Sequence, residues 1–73
     1  MPKLYSSAQI VKILKNNGFT FISQKGSHAK YHKQISNKVR TVIVPMAKKE
    51  IPLGTFKSIL RQSALDTNDF KKN

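Results

Sequence analysis

Phe19-Thr20-Phe21-Ile22-Ser23-Gln24-Lys25-Gly26-Ser27-His28-Ala29-Lys30-Tyr31-His32-Lys33, followed after a polar interval by Val39-Arg40-Thr41-Val42-Ile43-Val44, is the stretch that decides the fold. Its opening residues, Phe19 to Gln24, are aromatic and β-branched with fair alternation, which predicts a strand. Lys25-Gly26-Ser27 reads as a turn, and His28 to Lys33 as a second strand. Alternation along that strand puts Ala29 and Tyr31 on one face and His28, Lys30 and His32 on the other. Gln34 to Lys38 reads as a second polar turn. Val39 to Val44 is the strongest β segment, ended by Pro45, which has no N–H to give to a ladder. Three short strands joined by tight turns form an antiparallel meander.

Outward from this meander, both flanks carry helical signals. Upstream, Ser6-Ser7-Ala8-Gln9 fits a capping box, with Tyr5 and Ile10 placed for a hydrophobic staple. Ile10, Val11, Ile13 and Leu14 give an apolar stripe with Lys12 and Lys15 outside it, and Asn17-Gly18 supplies the stop. The first helix is expected over roughly 7 to 17. Downstream, Met46 to Pro52 is a basic loop holding Lys48 and Lys49. Phe56, Ile59, Leu60 and Ala64 then recur at helical spacing, with Lys57 and Arg61 on the outer side. Gly54 or Thr55 is expected to cap this helix. Asp66 or Thr67 opens a short terminal helix containing Asp69 and Phe70, with fraying expected from Lys71 to Asn73. The order is α-β-β-β-α in an α+β fold, as a single domain over residues 1–73. Phe21, Tyr31, Ile59 and Leu60 are expected in the core.

Charge is the loudest compositional feature. Fourteen Lys and Arg against three Asp and Glu give a formal net charge of +11. The sequence pI is near 10.4, the footprint of a protein that meets nucleic acid or an acidic protein partner. A membrane surface fits less well, since no long basic amphipathic helix with Trp or Phe is present. There is no cysteine, which removes disulfides and thiolate zinc sites. No apolar run has the length of a membrane span or a secretory segment, so the cytoplasm is the expected compartment. A chain this short has no second lobe with which to form a deep cleft. A shallow site suits an extended polymer better than a small metabolite.

Few side chains can carry chemistry. His28 and His32 are spaced as a metal pair would be on a helix, but on a strand they stand roughly 13 Å apart. No metal and no small-molecule cofactor is therefore expected. Glu50, Asp66 and Asp69 offer no paired carboxylates of catalytic spacing. Ser27 and His28, as strand neighbours, are expected to point to opposite faces and share no hydrogen bond. What remains is histidine acting with lysine and arginine, a combination suited to RNA. RNA carries its own nucleophile, the 2′-hydroxyl, beside the scissile phosphate. The protein then has to move a proton and stabilise the developing phosphorane charge. Lys25, Lys30 and Arg40 could supply that charge, and the Gly26 turn could offer backbone amides.

The segment Gln24-Lys25-Gly26-Ser27-His28-Ala29-Lys30-Tyr31 resembles the Q-K-G-S-H-x-K-Y stretch of HicA toxins. Val44-Pro45, then Lys49-Glu50-Ile51-Pro52-Leu53-Gly54-Thr55-Phe56-Lys57-Ser58-Ile59-Leu60-Arg61-Gln62, is similar to the family's second motif. The loop reads Met46-Ala47-Lys48 where many members carry His-Pro-Gly, and Ala29 stands where a second histidine is often seen. The resemblance implies a fold like the double-stranded-RNA-binding domain, with the helices on one face of the sheet. It also implies metal-independent cleavage of messenger RNA, arrest of translation, and a HicB-type antitoxin that blocks the site. The family's catalytic histidine falls on His28. The residues expected to contact RNA are Lys25, Gly26, Ser27, Lys30, Arg40, Lys57 and Arg61, with Lys33 adding to the basic track. Two rival readings are a module of the same fold that grips double-stranded RNA without cutting it, and an inert adaptor for an acidic protein.

Overall fold

A computed structural model describes residues 4–71. The first helix, α1 (Ser7–Asn16), begins where the capping signal puts it. The Ser6 hydroxyl accepts from the Gln9 amide at 3.1 Å, and the Gln9 side chain accepts from the Ser6 amide at 2.9 Å. Two of the donors that a helix start leaves without partners are thereby satisfied. Ser6→Ala should cost about 1 kcal/mol, read as a lowered urea midpoint with unchanged slope. An unchanged midpoint would mean that tertiary packing alone holds α1. At the other end Asn17 caps the helix, and Gly18 turns the chain at a φ of +91°, a conformation glycine adopts without penalty.

The strands are β1 (Thr20–Lys25), β2 (His28–Ile35) and β3 (Lys38–Pro45), in sheet order β1-β2-β3 with both pairings antiparallel. The second and third strands run longer than their patterns predict. The turn is only Ser36-Asn37, because Gln34 pairs with Val39 and Ile35 with Lys38. Ser36 takes the left-handed position of this turn at a φ of +54°, a conformation rare for serine and so invisible in the sequence. Pro45 belongs to β3 instead of ending it. The Met46 amide donates to the Ser27 carbonyl at 2.6 Å, so Pro45 is an outward position of an edge strand, where a missing N–H breaks no ladder bond.

Ala29, Tyr31, Val42 and Val44 form the inner sheet face, buried against Ile10, Ile13 and Leu14 of α1. Burial pushes the Tyr31 phenol above its ordinary value, so it stays neutral well into the alkaline range. The second helix, α2 (Leu53–Ser63), buries Phe56 and Ile59. Its N-cap falls two to three residues earlier than expected: Pro52 stands at the N-cap without a side-chain hydrogen bond, and Gly54 and Thr55 lie inside the helix. Proline there has φ already near the helical value. Leu60 is only partly buried, packed against the core cluster. The third helix, α3 (Thr67–Lys71), is opened by Asp66, whose carboxylate accepts from the Asn68 and Asp69 amides at 2.8 and 3.1 Å. Its Phe70 is buried and meets Phe56 edge-on at 5.0 Å and Tyr5 at 5.7 Å. Phe21, expected in the core, is 52% exposed. It shares the inner face through its pairing with Tyr31, but the helices cover β2 and β3 and leave the β1 border open.

Candidate active site

The sheet face away from the helices carries His28, Lys30 and His32 in a row along β2. The register adds Lys25, Ser23 and Thr20 from β1, and Pro45, Ile43 and Thr41 from β3. His28 opens β2 directly after the Gly26-Ser27 turn and is exposed. Lys25 is its register partner, which brings the two Cβ atoms within about 5 Å. Lys30, exposed two residues further on, presents a second cation on the same face. His32 shares the face but is half-buried between Thr20 and Thr41.

The turn that carries His28 is tied down. Gly26 takes a φ of +59° with open space where a side chain would stand, and the Gln24 side-chain amide donates to the Gly26 carbonyl at 3.0 Å. The Ser27 hydroxyl lies 3.5 Å from His28 Nδ1. Strand alternation predicts no such approach. It occurs because Ser27 belongs to the turn, where side chains do not alternate. The contact is at the outer limit of a hydrogen bond, so it orients the ring weakly. A serine nucleophile does not follow from it.

The expected RNA-contacting residues separate into two groups. Lys25, Gly26, Ser27 and Lys30 gather around His28. Arg40 does not: it is the register partner of Lys33 on the helix side of the sheet. Its guanidinium reaches the Arg61 and Gln62 carbonyls at 3.5 and 3.4 Å, where a cation meets the negative end of α2. Lys33 also leaves the row of cations, stretching along Gly18 with its ammonium 5.9 Å from the centre of the Phe19 ring. Lys57 and Arg61 are exposed on α2, in the helical layer, and Arg61 donates to the Ser58 hydroxyl at 3.3 Å.

Lys48 lies in a loop to which no local sequence pattern assigns a partner. Its amide donates to the Ser7 hydroxyl and its carbonyl accepts from the Ser7 amide, both at 3.0 Å. The same hydroxyl donates to the Pro45 carbonyl at 2.6 Å. These bonds fasten residues 45–48, the start of α1 and, through Met46, the Ser27 turn into one end of the molecule. Only the β2–β3 register, which sets Pro45 opposite His28, would have revealed it.

The exposed imidazole with Lys25 opposite and Lys30 beside it makes this sheet face an open, basic surface. A family model for the HicA toxin of bacterial toxin–antitoxin systems matches residues 7–65. The chain belongs to the HicA toxin family. The match runs from α1 through α2 and includes every residue of the His28 cluster. No curated protein matches the chain. Among the described residues of this HicA toxin, no helix is long and apolar enough to cross a membrane.

Proposed function

We propose that this toxin is a metal-independent endoribonuclease that cuts messenger RNA, with His28 as its proton carrier. The observation that carries the reading is the exposed His28 on the open sheet face with Lys25 opposite it and Lys30 beside it. The 2′-hydroxyl attacks the adjacent phosphorus, forming the O2′–P bond while its proton passes to the imidazole. The P–O5′ bond then breaks, and the departing 5′-oxygen takes a proton from water, which a site this open admits. Lys25 and Lys30 stabilise the phosphorane charge, and the Gly26-Ser27 turn positions the phosphate. Ser27 steadies the ring from Nδ1, leaving Nε2 to face the substrate. Arg40 has no part in this step, and Lys57 and Arg61 contact only RNA that extends past the helical layer. An antitoxin of the HicB type would silence the toxin by covering this face.

Purified toxin incubated with a long labelled RNA in excess EDTA should produce discrete fragments bearing cyclic phosphate ends. Tight binding without fragments would overturn the proposal and leave an RNA-binding module of the same fold.

A further inference from the structure

On the side of the sheet away from His28, an open groove of about 560 Å³ lies between α1 and the sheet at Tyr31 and Met46. Ala8, Val11 and Met46 give it apolar walls, the Tyr31 ring lies at its base, and Lys12 and Lys15 stand along the helix side. Phe21 extends the inner face outward, its ring edge-on to Tyr31 at 5.7 Å. Ala8, Val11, Lys12 and Lys15 fall at helical spacings of three and four, so one stripe of α1 faces the groove over roughly 10 Å. No residue of the toxin's first helix is acidic, and two of the chain's three carboxylates, Asp66 and Asp69, are spent on capping α3.

We infer that this groove is a docking site for an acidic amphipathic helix of a protein partner. Charge and shape both select the occupant. A helix laid beside α1 would put apolar side chains between Val11, Met46 and Tyr31, and glutamates one turn apart against Lys12 and Lys15. RNA fits less well, because the groove is cationic along its α1 side only and Ala8, Val11 and Met46 make much of the remaining lining apolar. A strand added to the sheet is disfavoured by the irregularity between Phe21 and Ser23, which breaks the β1 register. The inference rests on the family's pairing with an antitoxin, and not on ribonuclease chemistry. A partner anchored here grips the toxin from behind, and its remaining mass is free to reach the catalytic face.

The test uses the full chain and a fluorescent synthetic helix with glutamates at every fourth position along one face and leucines on the other. Backbone amide shifts on titration should concentrate in α1, Tyr31 and Met46. Lys12→Glu with Lys15→Glu should weaken binding about tenfold or more, while Lys38→Glu with Lys71→Glu, an equal change in net charge, should change it little. RNA cleavage by the Lys12/Lys15 variant should match that of the Lys38/Lys71 variant. Equal loss of peptide affinity in both variants, or shifts spread over every lysine, would reduce the site to non-specific attraction and overturn the inference. So would displacement of the peptide by oligouridylate coupled to a cleavage defect confined to the Lys12/Lys15 variant, which would assign the groove to RNA. Because peptide binding and cleavage are read separately, failure of the ribonuclease reading leaves this result standing.

Discussion

His28→Ala should lower the rate of RNA cleavage by about 10²- to 10⁴-fold, the range expected for loss of one positioned proton-transfer group. RNA affinity should remain within a few-fold, because affinity for the phosphate chain comes from the lysines, which the substitution leaves in place. The fold should also remain. His28 is exposed and its contact with the Ser27 hydroxyl, at 3.5 Å, is weak, so the change in stability should be within about 0.5 kcal/mol. His32→Ala is the matched control. Its imidazole is on the same face but roughly 13 Å along the strand, too far to serve the same phosphate, and its rate should stay near that of the wild type. Single-turnover cleavage of a short labelled RNA in EDTA reads both variants. Equal damage from the two would mean that the open face binds RNA through its general charge and that His28 has no special duty.

The second large effect concerns stability and comes from the far end of the chain. Phe70→Ala should cost about 3 to 5 kcal/mol. Phe70 is buried, meets both Tyr5 and Phe56, and is the buried residue of a five-residue helix. Without it, α3 has no reason to dock, and an isolated helix of that length does not persist in water. For 73 residues the total stability expected is roughly 4 to 11 kcal/mol, so one truncation removes a large part of it. Phe21→Ala, on a ring that is 52% exposed, should cost about 1 kcal/mol. Urea unfolding of the two variants separates them, and equal midpoints would show that α3 is an ornament on a core completed without it.

Much of this was readable from the residues because the signals are local. Ser6 and Gln9 declare the start of α1, and the alternation of β2 separates His28 from Tyr31 without any knowledge of what covers them. The turn at Gly26 needs a left-handed residue, and glycine advertises one. Ser36 does the same work with no such advertisement, which is why the second hairpin looked longer-looped than it is. Arg40 and Lys33 lie away from the His28 cluster for a different reason. A charged residue on a strand is ordinarily assigned to the solvent face, but both sit on the helix side at the open end of the sheet. There a long side chain can reach across to a helix terminus or an aromatic ring. Phe21 departs from the core expectation because alternation says which face a residue takes, not whether that face is covered. Lys48 depends on pairings between residues some forty positions apart, and no local pattern encodes them.

The edges of the sheet carry a last consequence. Along β3, the outward amide of Ile43 donates to the Gln62 side chain at 3.1 Å, the Pro45 carbonyl is occupied by Ser7, and Pro45 has no amide to offer. On β1, the irregularity between Phe21 and Ser23 spoils the spacing that an incoming strand would need. A second copy of the chain therefore finds side chains at one border and a misfit at the other, and it arrives bearing the same charge of +11. The sheet is finite by construction: neither border offers a second copy an uninterrupted run of backbone groups with which to extend it.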